Sequence, residues 1–169
     1  IRDDVESRGL GDVYKRQNVD ESFRIVEQLD LEKFEIWYMS YNGNPKSWYR
    51  VDRFLHRVPY EKTPEVYAAC DILLKTSLLE SFSYPPLEMM ASGGYVVAVP
   101  NGGNLEYLKD GENCILYPQG NLAEAKAAIE RILTDAELRK KLDTGAEETV
   151  KERNWKRIEP QILEQYLGK

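Results

Sequence analysis

Apolar positions recur along the chain with two different periods, and together they predict helices that alternate with strands. Asn18 and Glu21 form a variant of the capping box and apolar residues follow at helical spacing, so a helix is predicted over about 19–29. Runs of aromatic and β-branched residues predict strands at 34–40, 54–58, 72–77, 95–99 and 114–117. Further helices are predicted at about 65–69, 86–92, 121–133, 135–151 and 155–167, with a short one after 101–104.

This order of elements predicts the fold class. Strands separated by helices at this spacing indicate an α/β fold, a Rossmann-like parallel sheet with helices on both faces. Such sheets bind ligands beyond the carboxyl ends of their strands. The loops that follow Val58, Ser77 and Val99 are therefore the candidate positions for a site.

Two helix ends carry their own signals. Thr63 followed by Pro64 predicts a helix start with Thr63 as its cap. Gly93 and Gly94 predict that the helix before them ends in a left-handed cap.

The composition limits the classes of partner that this chain is expected to bind. The 169 residues include 29 acidic and 23 basic side chains, a net charge of −6, which argues against nucleic acid as a partner. No run approaches the length of a membrane span, so none is predicted. Cys70 and Cys114 lie in apolar stretches without metal-ligand spacing, which predicts reduced thiols, no metal site and a cytoplasmic protein.

Residues 1–17 differ from the rest of the chain. They are charged, interrupted by glycine and without helical or strand period, and they resemble translated adapter sequence. We interpret them as a foreign or naturally disordered lead-in. The recognisable domain is then 18–169, and the chain is expected to be a piece of something longer.

The segment from Glu80 to Glu88 carries the most chemical information. Glu80 is predicted in the loop after a strand, and Glu88 in the first turn of the next helix. Backbone amides of Phe82, Ser83 and the helix start would lack partners within the helix, and the helix dipole favours an anion there, such as a diphosphate. Carboxylates suit sugar and ribose hydroxyls instead. The alternative is that Glu88 is only a favourable first-turn acid and Glu80 a surface charge.

This segment resembles the motif of retaining glycosyltransferases in which seven residues separate two glutamates. These enzymes have the two-domain GT-B fold, and the likeness is to family GT4, or glycosyltransferase group 1. The resemblance extends over about 18–167 and is strong over 64–121. It continues through the segments 68–72, 85–93, 102–106, 110–113 and 115–118.

The resemblance implies that the chain is the C-terminal, donor-binding half of such a protein. Glu88 would bind the ribose hydroxyls, and Glu80 would act as the catalytic residue beside the donor sugar or bind its hydroxyls. Val58 would lie against the base. The residues assigned to nucleotide-sugar binding are Glu88, Ser81, Phe82, Ser83, Val58, Gly102 and Gly103. The two glycines would allow a close approach of the chain, or would simply form a turn.

The resemblance also implies the reaction. A hexosyl group would move from a nucleotide-sugar, a UDP- or GDP-sugar, to a glycan or lipid-linked acceptor in polysaccharide biosynthesis. The transition state is oxocarbenium-like and the departing diphosphate gains charge. Front-face attack with retention is expected, with a covalent step through Glu80 as the less favoured alternative. No cofactor and no metal are implied, and the protein could sit peripherally at the inner membrane face.

Two departures from the family pattern affect these expectations. Ser81 and Ser83 stand where the family has serine or glycine, and then glycine, and serine suits that position only if its φ stays negative. The family also carries an arginine and a lysine for the diphosphate near a first strand that should precede Asn18. Lys15 and Arg16 stand near that place. The first strand is expected to be missing or replaced, which would leave a gap in the sheet, and the fragment is expected to be inactive without its N-terminal acceptor domain.

Alternative functions remain open at this level. One is a noncatalytic nucleotide-binding or interaction module, and another is a GT-B sugar-nucleotide epimerase. A dinucleotide oxidoreductase is disfavoured because no Gly-x-Gly-x-x-Gly follows a predicted strand. His56 is predicted to be structural, and Lys75 to be a paired lysine at the edge of the core, with a place under the site as the alternative.

Overall fold

The computed structural model describes residues 16–30 and 32–168. Its helices are α1 (Val19–Val26), α2 (Thr63–Ala68), α3 (Tyr84–Ala91), α4 (Leu122–Thr134), α5 (Ala136–Glu152) and α6 (Trp155–Leu167), with a 3₁₀ turn at Tyr60–Lys62. Its strands are β1 (Trp37–Ser40), β2 (Arg53–His56), β3 (Ile72–Lys75), β4 (Tyr95–Ala98) and β5 (Ile115–Leu116). The alternation of helices and strands confirms the predicted α/β class.

Every strand pairing is parallel, and the strands form two sheets. β1 pairs with β2, while β4 lies between β3 and β5. Among the described residues no strand pairing joins β1 to β3. In the Rossmann order a first strand would fill the position between them. Residues 1–15, where such a strand or its replacement would lie, are outside the described residues.

The three-stranded sheet is buried on both faces because successive side chains of a strand point in opposite directions. Val96 and Ala98 of β4 pack in a cluster with side chains of α2 and α3. Val97 and Val99 pack in a second cluster with side chains of α1, α4 and α5. Helices therefore cover both faces of this sheet, as the fully apolar run at 95–99 predicts.

The short helix predicted after 101–104 is wrong. Residues 102–107 form turns instead. The Asn101 side chain accepts hydrogen bonds from the amides of Gly103 and Asn104, and the Asn104 side chain donates to the carbonyl of Val99. The bonds that Asn101 accepts are those of a helix N-cap, but the backbone bonds that follow, from Leu105 to Asn101 and from Leu108 to Asn104, form separate single turns and no regular helix.

The helix ends that the sequence predicts are confirmed in part. Gly93 has φ +82°, which confirms the left-handed cap at the end of α3. Gly94 has another role, because a Cβ there would collide with the side chain of Met89. Thr63 is the first residue of α2 rather than its cap, since its hydroxyl donates back to the carbonyl of Tyr60 in the preceding 3₁₀ turn.

The end of the predicted lead-in makes contacts with the sheet. The carbonyl of Arg16 accepts from the amide of Leu78, and the carbonyl of Gln17 accepts from the Thr76 hydroxyl. These bonds join residues 16–17 to the segment just after β3. The remainder of that lead-in, residues 1–15, lies outside the described residues.

Candidate functional site

The loops that follow β3 and β4 meet at the carboxyl edge of the sheet. A Cβ built on Gly103 would lie 2.3 Å from the carbonyl oxygen of Glu80, so only glycine allows this approach. A Cβ on Gly102 would meet nothing within 4 Å. The predicted close approach therefore belongs to Gly103 and is not required by the packing at Gly102.

An asparagine that the sequence reasoning missed joins the same two loops. The Asn101 side chain is buried and donates to the carbonyl of Ser77 at 2.9 Å. The Asn101 Oδ1 accepts a hydrogen bond from the Gly103 amide at 3.1 Å and so holds the turn that contains Gly103. The available signal was the position of Asn101, two residues beyond the predicted strand at 95–99 and ahead of two glycines.

Glu80 and Lys75 form an ion pair that is largely withdrawn from water. The Lys75 Nζ lies 2.7 Å from the Glu80 Oε1, and the two side chains are only 16% and 12% exposed. Lys75 ends β3, and Glu80 stands in the loop that follows. The prediction that Lys75 is paired is confirmed, and the alternative that Glu80 is a mere surface charge is wrong.

The prediction that Glu88 lies in the first turn of its helix is wrong, because α3 already begins at Tyr84 and Glu88 is its fifth residue. Glu88 is half-buried and faces a tyrosine. Burial raises the pKa of its carboxyl above the ordinary value, and the neighbouring Tyr67 hydroxyl offsets part of that rise. Burial and the Glu88 carboxylate raise the pKa of Tyr67 in turn. The sequence reasoning missed Tyr67, which α2 brings beside Glu88. With one hydrogen-bonding neighbour of this kind, the carboxylate keeps capacity to accept from further hydroxyl groups.

Ser83 has a left-handed backbone, with φ +66° and ψ 77°. The condition set for this serine, a negative φ, is therefore not met. Its hydroxyl is buried and has no hydrogen-bond partner among the described residues. The Tyr107 hydroxyl donates to the Ser83 carbonyl, which holds the loop in this conformation at the N-terminus of α3.

Phe82 packs within a row of aromatic rings. Its ring centre lies 5.1 Å from that of Tyr84 and 5.2 Å from that of Tyr107. The guanidinium of Arg153 lies 6.0 Å from the same ring centre. The ring of Phe82 therefore packs against other side chains of the chain. Its neighbour Ser81 and the nearby Tyr84 are exposed.

The loop after β2 is held from the end of β1. The Tyr41 hydroxyl donates to the carbonyl of Val58, and the Tyr41 carbonyl lies 3.2 Å from the His56 Nε2. His56 also stacks on Phe54, in line with its structural interpretation. The hydrogen bond from Tyr41 ties Val58 to the end of β1.

The two cavities described for the chain lie away from both glutamates. One of about 470 Å³ is lined by Tyr95 and residues of α3 and α5, and one of about 450 Å³ by residues near the start of β1. Neither Glu80 nor Glu88 lines either of these two cavities. Within 16–30 and 32–168 no three acidic, histidine or cysteine side chains gather as metal ligands would. Each helix in that part of the chain is too short or too polar to cross a bilayer.

The sequence pattern around this edge matches a known family. The profile described as "Glycosyl transferases group 1" matches residues 52–149, more than half of the chain. The chain belongs to the group 1 glycosyltransferase family. The match includes Glu80, Glu88 and Gly103, the residues whose contacts are described above.

Curated relatives carry names from the same family. The O-antigen biosynthesis protein RfbC of Myxococcus xanthus is 35% identical over 117 residues, which are 68% of this chain and 9% of that protein. A D-inositol 3-phosphate glycosyltransferase of Thermomonospora curvata is 30% identical over 116 residues, 69% of this chain and 27% of that protein. The chain thus spans about a quarter or less of the length of these two relatives.

Two solved structures share the fold of this chain. A crystal structure of Alr3699/HepE from Anabaena in complex with UDP-glucose has a TM-score of 0.78 at 22% identity, over 92% of this chain and 46% of that one. Sucrose-phosphate synthase from Thermosynechococcus elongatus has a TM-score of 0.79 at 22% identity, over 91% and 42%. This confirms the α/β fold of a GT-B half.

Proposed function

We propose that this chain is the donor-binding part of a retaining hexosyltransferase of group 1. The observation that carries the proposal is the pair of buried or half-buried carboxylates, Glu80 and Glu88, on one loop and helix at the carboxyl edge of a parallel sheet. Family membership supports it, because the profile match covers both residues. The proposal gives Glu88 to the ribose hydroxyls and Glu80 to the donor sugar.

The main-chain amides of Phe82, Ser83 and Tyr84 at the entry to α3 are proposed to hold the diphosphate, because the next two residues, Pro85 and Pro86, have no N–H. The first amides of a helix lack intrahelical partners and carry partial positive charge, which stabilises the charge that grows on the departing diphosphate. Ser81, Phe82 and Ser83 supply the loop that leads into these amides. Tyr107 fixes this loop through the Ser83 carbonyl, so the amides need no rearrangement when the anion arrives.

The substrate class is proposed as a UDP- or GDP-hexose. The crystal structure of HepE in complex with UDP-glucose supports this choice by likeness of fold. The acceptor is proposed as a glycan or lipid-linked sugar, in keeping with the O-antigen biosynthesis name of one relative. The proposal includes an N-terminal acceptor domain, retention by front-face attack, and a cytoplasmic location that extends to the inner membrane face. Both cysteines are free, which suits a reducing compartment.

Nucleotide binding to the 169-residue chain tests the proposal. Thermal unfolding is followed with UDP, GDP and ADP and with UDP-glucose, UDP-galactose and GDP-mannose, and affinities are measured by titration calorimetry. We expect at least one nucleotide to bind, and Glu88→Gln to weaken binding by about 1–3 kcal/mol, the cost of lost charge-assisted hydrogen bonds. An absence of binding by every compound would overturn the proposal and favour the noncatalytic interaction module.

A further inference from the structure

Lys75 is placed so that it fixes the side chain of Glu80. It ends β3, a strand paired with β4 along its whole length, so its backbone is held by the sheet. Its Nζ lies 2.7 Å from the Glu80 Oε1, and both side chains are largely withdrawn from water. A charge removed from solvent in this way depends strongly on its partner, which makes the pair hard to separate.

The backbone of Glu80 is fixed as well. The Gly103 backbone packs against the Glu80 carbonyl and against the carbonyl carbon of Ser81. Asn101 holds the Gly103 turn to the loop after β3. Glu80 is therefore held at two places, its main chain by the loop after β4 and one carboxylate oxygen by Lys75.

Within residues 16–30 and 32–168, this arrangement leaves the second carboxylate oxygen available to a ligand. The described ion pair engages Oε1 of Glu80 with Lys75. An ionised carboxylate accepts several hydrogen bonds, so Oε2 retains its own acceptor capacity. A carboxylate that is already aligned loses little freedom when it accepts a hydroxyl, and alignment of this kind favours reaction.

We infer that Lys75 is a positioning residue that aims Glu80 at a hydroxyl of the donor hexose. The inference rests on the proposed function, since it assigns Glu80 to the sugar of a nucleotide-sugar. It predicts that Lys75 governs the extra affinity contributed by the sugar, whereas the nucleotide portion is held elsewhere, by Glu88 and the α3 amides. A purely structural ion pair would affect both portions alike.

The test compares each nucleotide-sugar with its parent nucleotide on the 169-residue chain. The measured quantity is the sugar increment, the ratio of the Kd of UDP to that of UDP-glucose or UDP-galactose, and of GDP to that of GDP-mannose. We expect Lys75→Met to reduce the largest increment at least tenfold and to change the Kd of the parent nucleotide less than threefold. Lys75→Arg, which keeps the charge, restores most of the increment.

A double substitution shows whether Lys75 acts through Glu80. The increment of Lys75→Met/Glu80→Gln should equal that of Glu80→Gln alone, because the carboxylate that Lys75 orients is gone. This double variant has no unpaired buried charge. It is therefore expected to fold even if Lys75→Met alone fails to fold. Additive losses, or an increment unchanged in Lys75→Met, would overturn the inference.

The remaining outcomes separate the inference from the proposed function. If the chain binds a nucleotide but none of the three sugars adds affinity, the inference is wrong and nucleotide binding stands. If Lys75→Met weakens nucleotide and nucleotide-sugar equally, the pair is only structural and the inference is again wrong. If no nucleotide binds the parent chain, the proposed function fails first, and the inference fails with it.

Discussion

The backbone of Gly103 touches the carbonyl of Glu80, at a separation that leaves no room for a side chain at residue 103. This contact holds the loop after β4 against the loop after β3. Because Glu80 is proposed to bind the donor sugar, a packing constraint at one loop sets the position of a proposed substrate-binding residue on the other.

Gly103→Ala should therefore destabilise the chain. A Cβ 2.3 Å from the Glu80 oxygen forces the two loops apart, and overpacking of this kind costs about 1–3 kcal/mol. Gly102→Ala is the matched control, since its Cβ meets nothing within 4 Å, and its effect should stay within about 0.5 kcal/mol. Urea unfolding of both variants measures the difference. Equal stabilities would show that the contact between the loops is not tight.

Glu88→Gln should stabilise the chain at neutral pH while it weakens nucleotide binding. Burial raises the pKa of Glu88, so the folded chain holds this proton more tightly than the unfolded chain does. The corresponding stability is present below the ordinary carboxyl pKa and is lost as the pH rises through the raised value. At pH 7 the ionised carboxylate therefore destabilises the folded chain, whereas a neutral glutamine does not.

Thermal unfolding across pH checks this prediction. The variant should have the higher Tm at pH 7, and the two curves should converge below about pH 4, where Glu88 becomes protonated in both states. Glu164→Gln on the exposed face of α6 controls for the change in net charge. A variant that is less stable than the parent at pH 7 would contradict the assigned effect of burial.

Substitution of Ser83 should raise stability in two steps. Ser83→Ala removes a buried hydroxyl without a described partner, a gain of about 1 kcal/mol. Ser83→Gly also relieves the left-handed backbone, where an L-residue costs about 1–2 kcal/mol, less the extra freedom of glycine when unfolded. Chemical denaturation should rank glycine above alanine above serine. The reverse order would mean that the serine hydroxyl stabilises this loop.

Substitution of Lys75 alone should destabilise the chain, and substitution of both Lys75 and Glu80 should destabilise it much less. Lys75→Met leaves Glu80 buried without its cation, a loss of about 2–4 kcal/mol for a pair that retains slight exposure. Lys75→Met/Glu80→Gln should recover most of it, because no unpaired charge remains. Urea unfolding of the single and double variants measures the coupling between the two residues. Strictly additive losses would show that the pair contributes no mutual stabilisation.

Local patterns accounted for much of the secondary structure. Helix α6 lies at 155–167 as predicted, and the strand predicted at 95–99 contains β4, because an apolar run of that length fits a strand buried on both faces. The predicted helix after 101–104 was wrong, since the backbone bonds there, from Leu105 to Asn101 and from Leu108 to Asn104, close single turns that do not continue. The strands were also shorter than the apolar runs that predicted them, because pairing stops where the neighbouring strand ends.

The sequence by itself determined the α/β order, the family and the two glutamates, because these depend on residue types at fixed spacing along the chain. Only the tertiary structure decided what surrounds each glutamate. Lys75 beside Glu80, Tyr67 beside Glu88 and Gly103 against the Glu80 backbone come from different elements that the fold brings together. The left-handed φ of Ser83 likewise depends on Tyr107, 24 residues away, which holds its carbonyl. Distances between elements set burial and charge pairing, and no periodicity within one element encodes them.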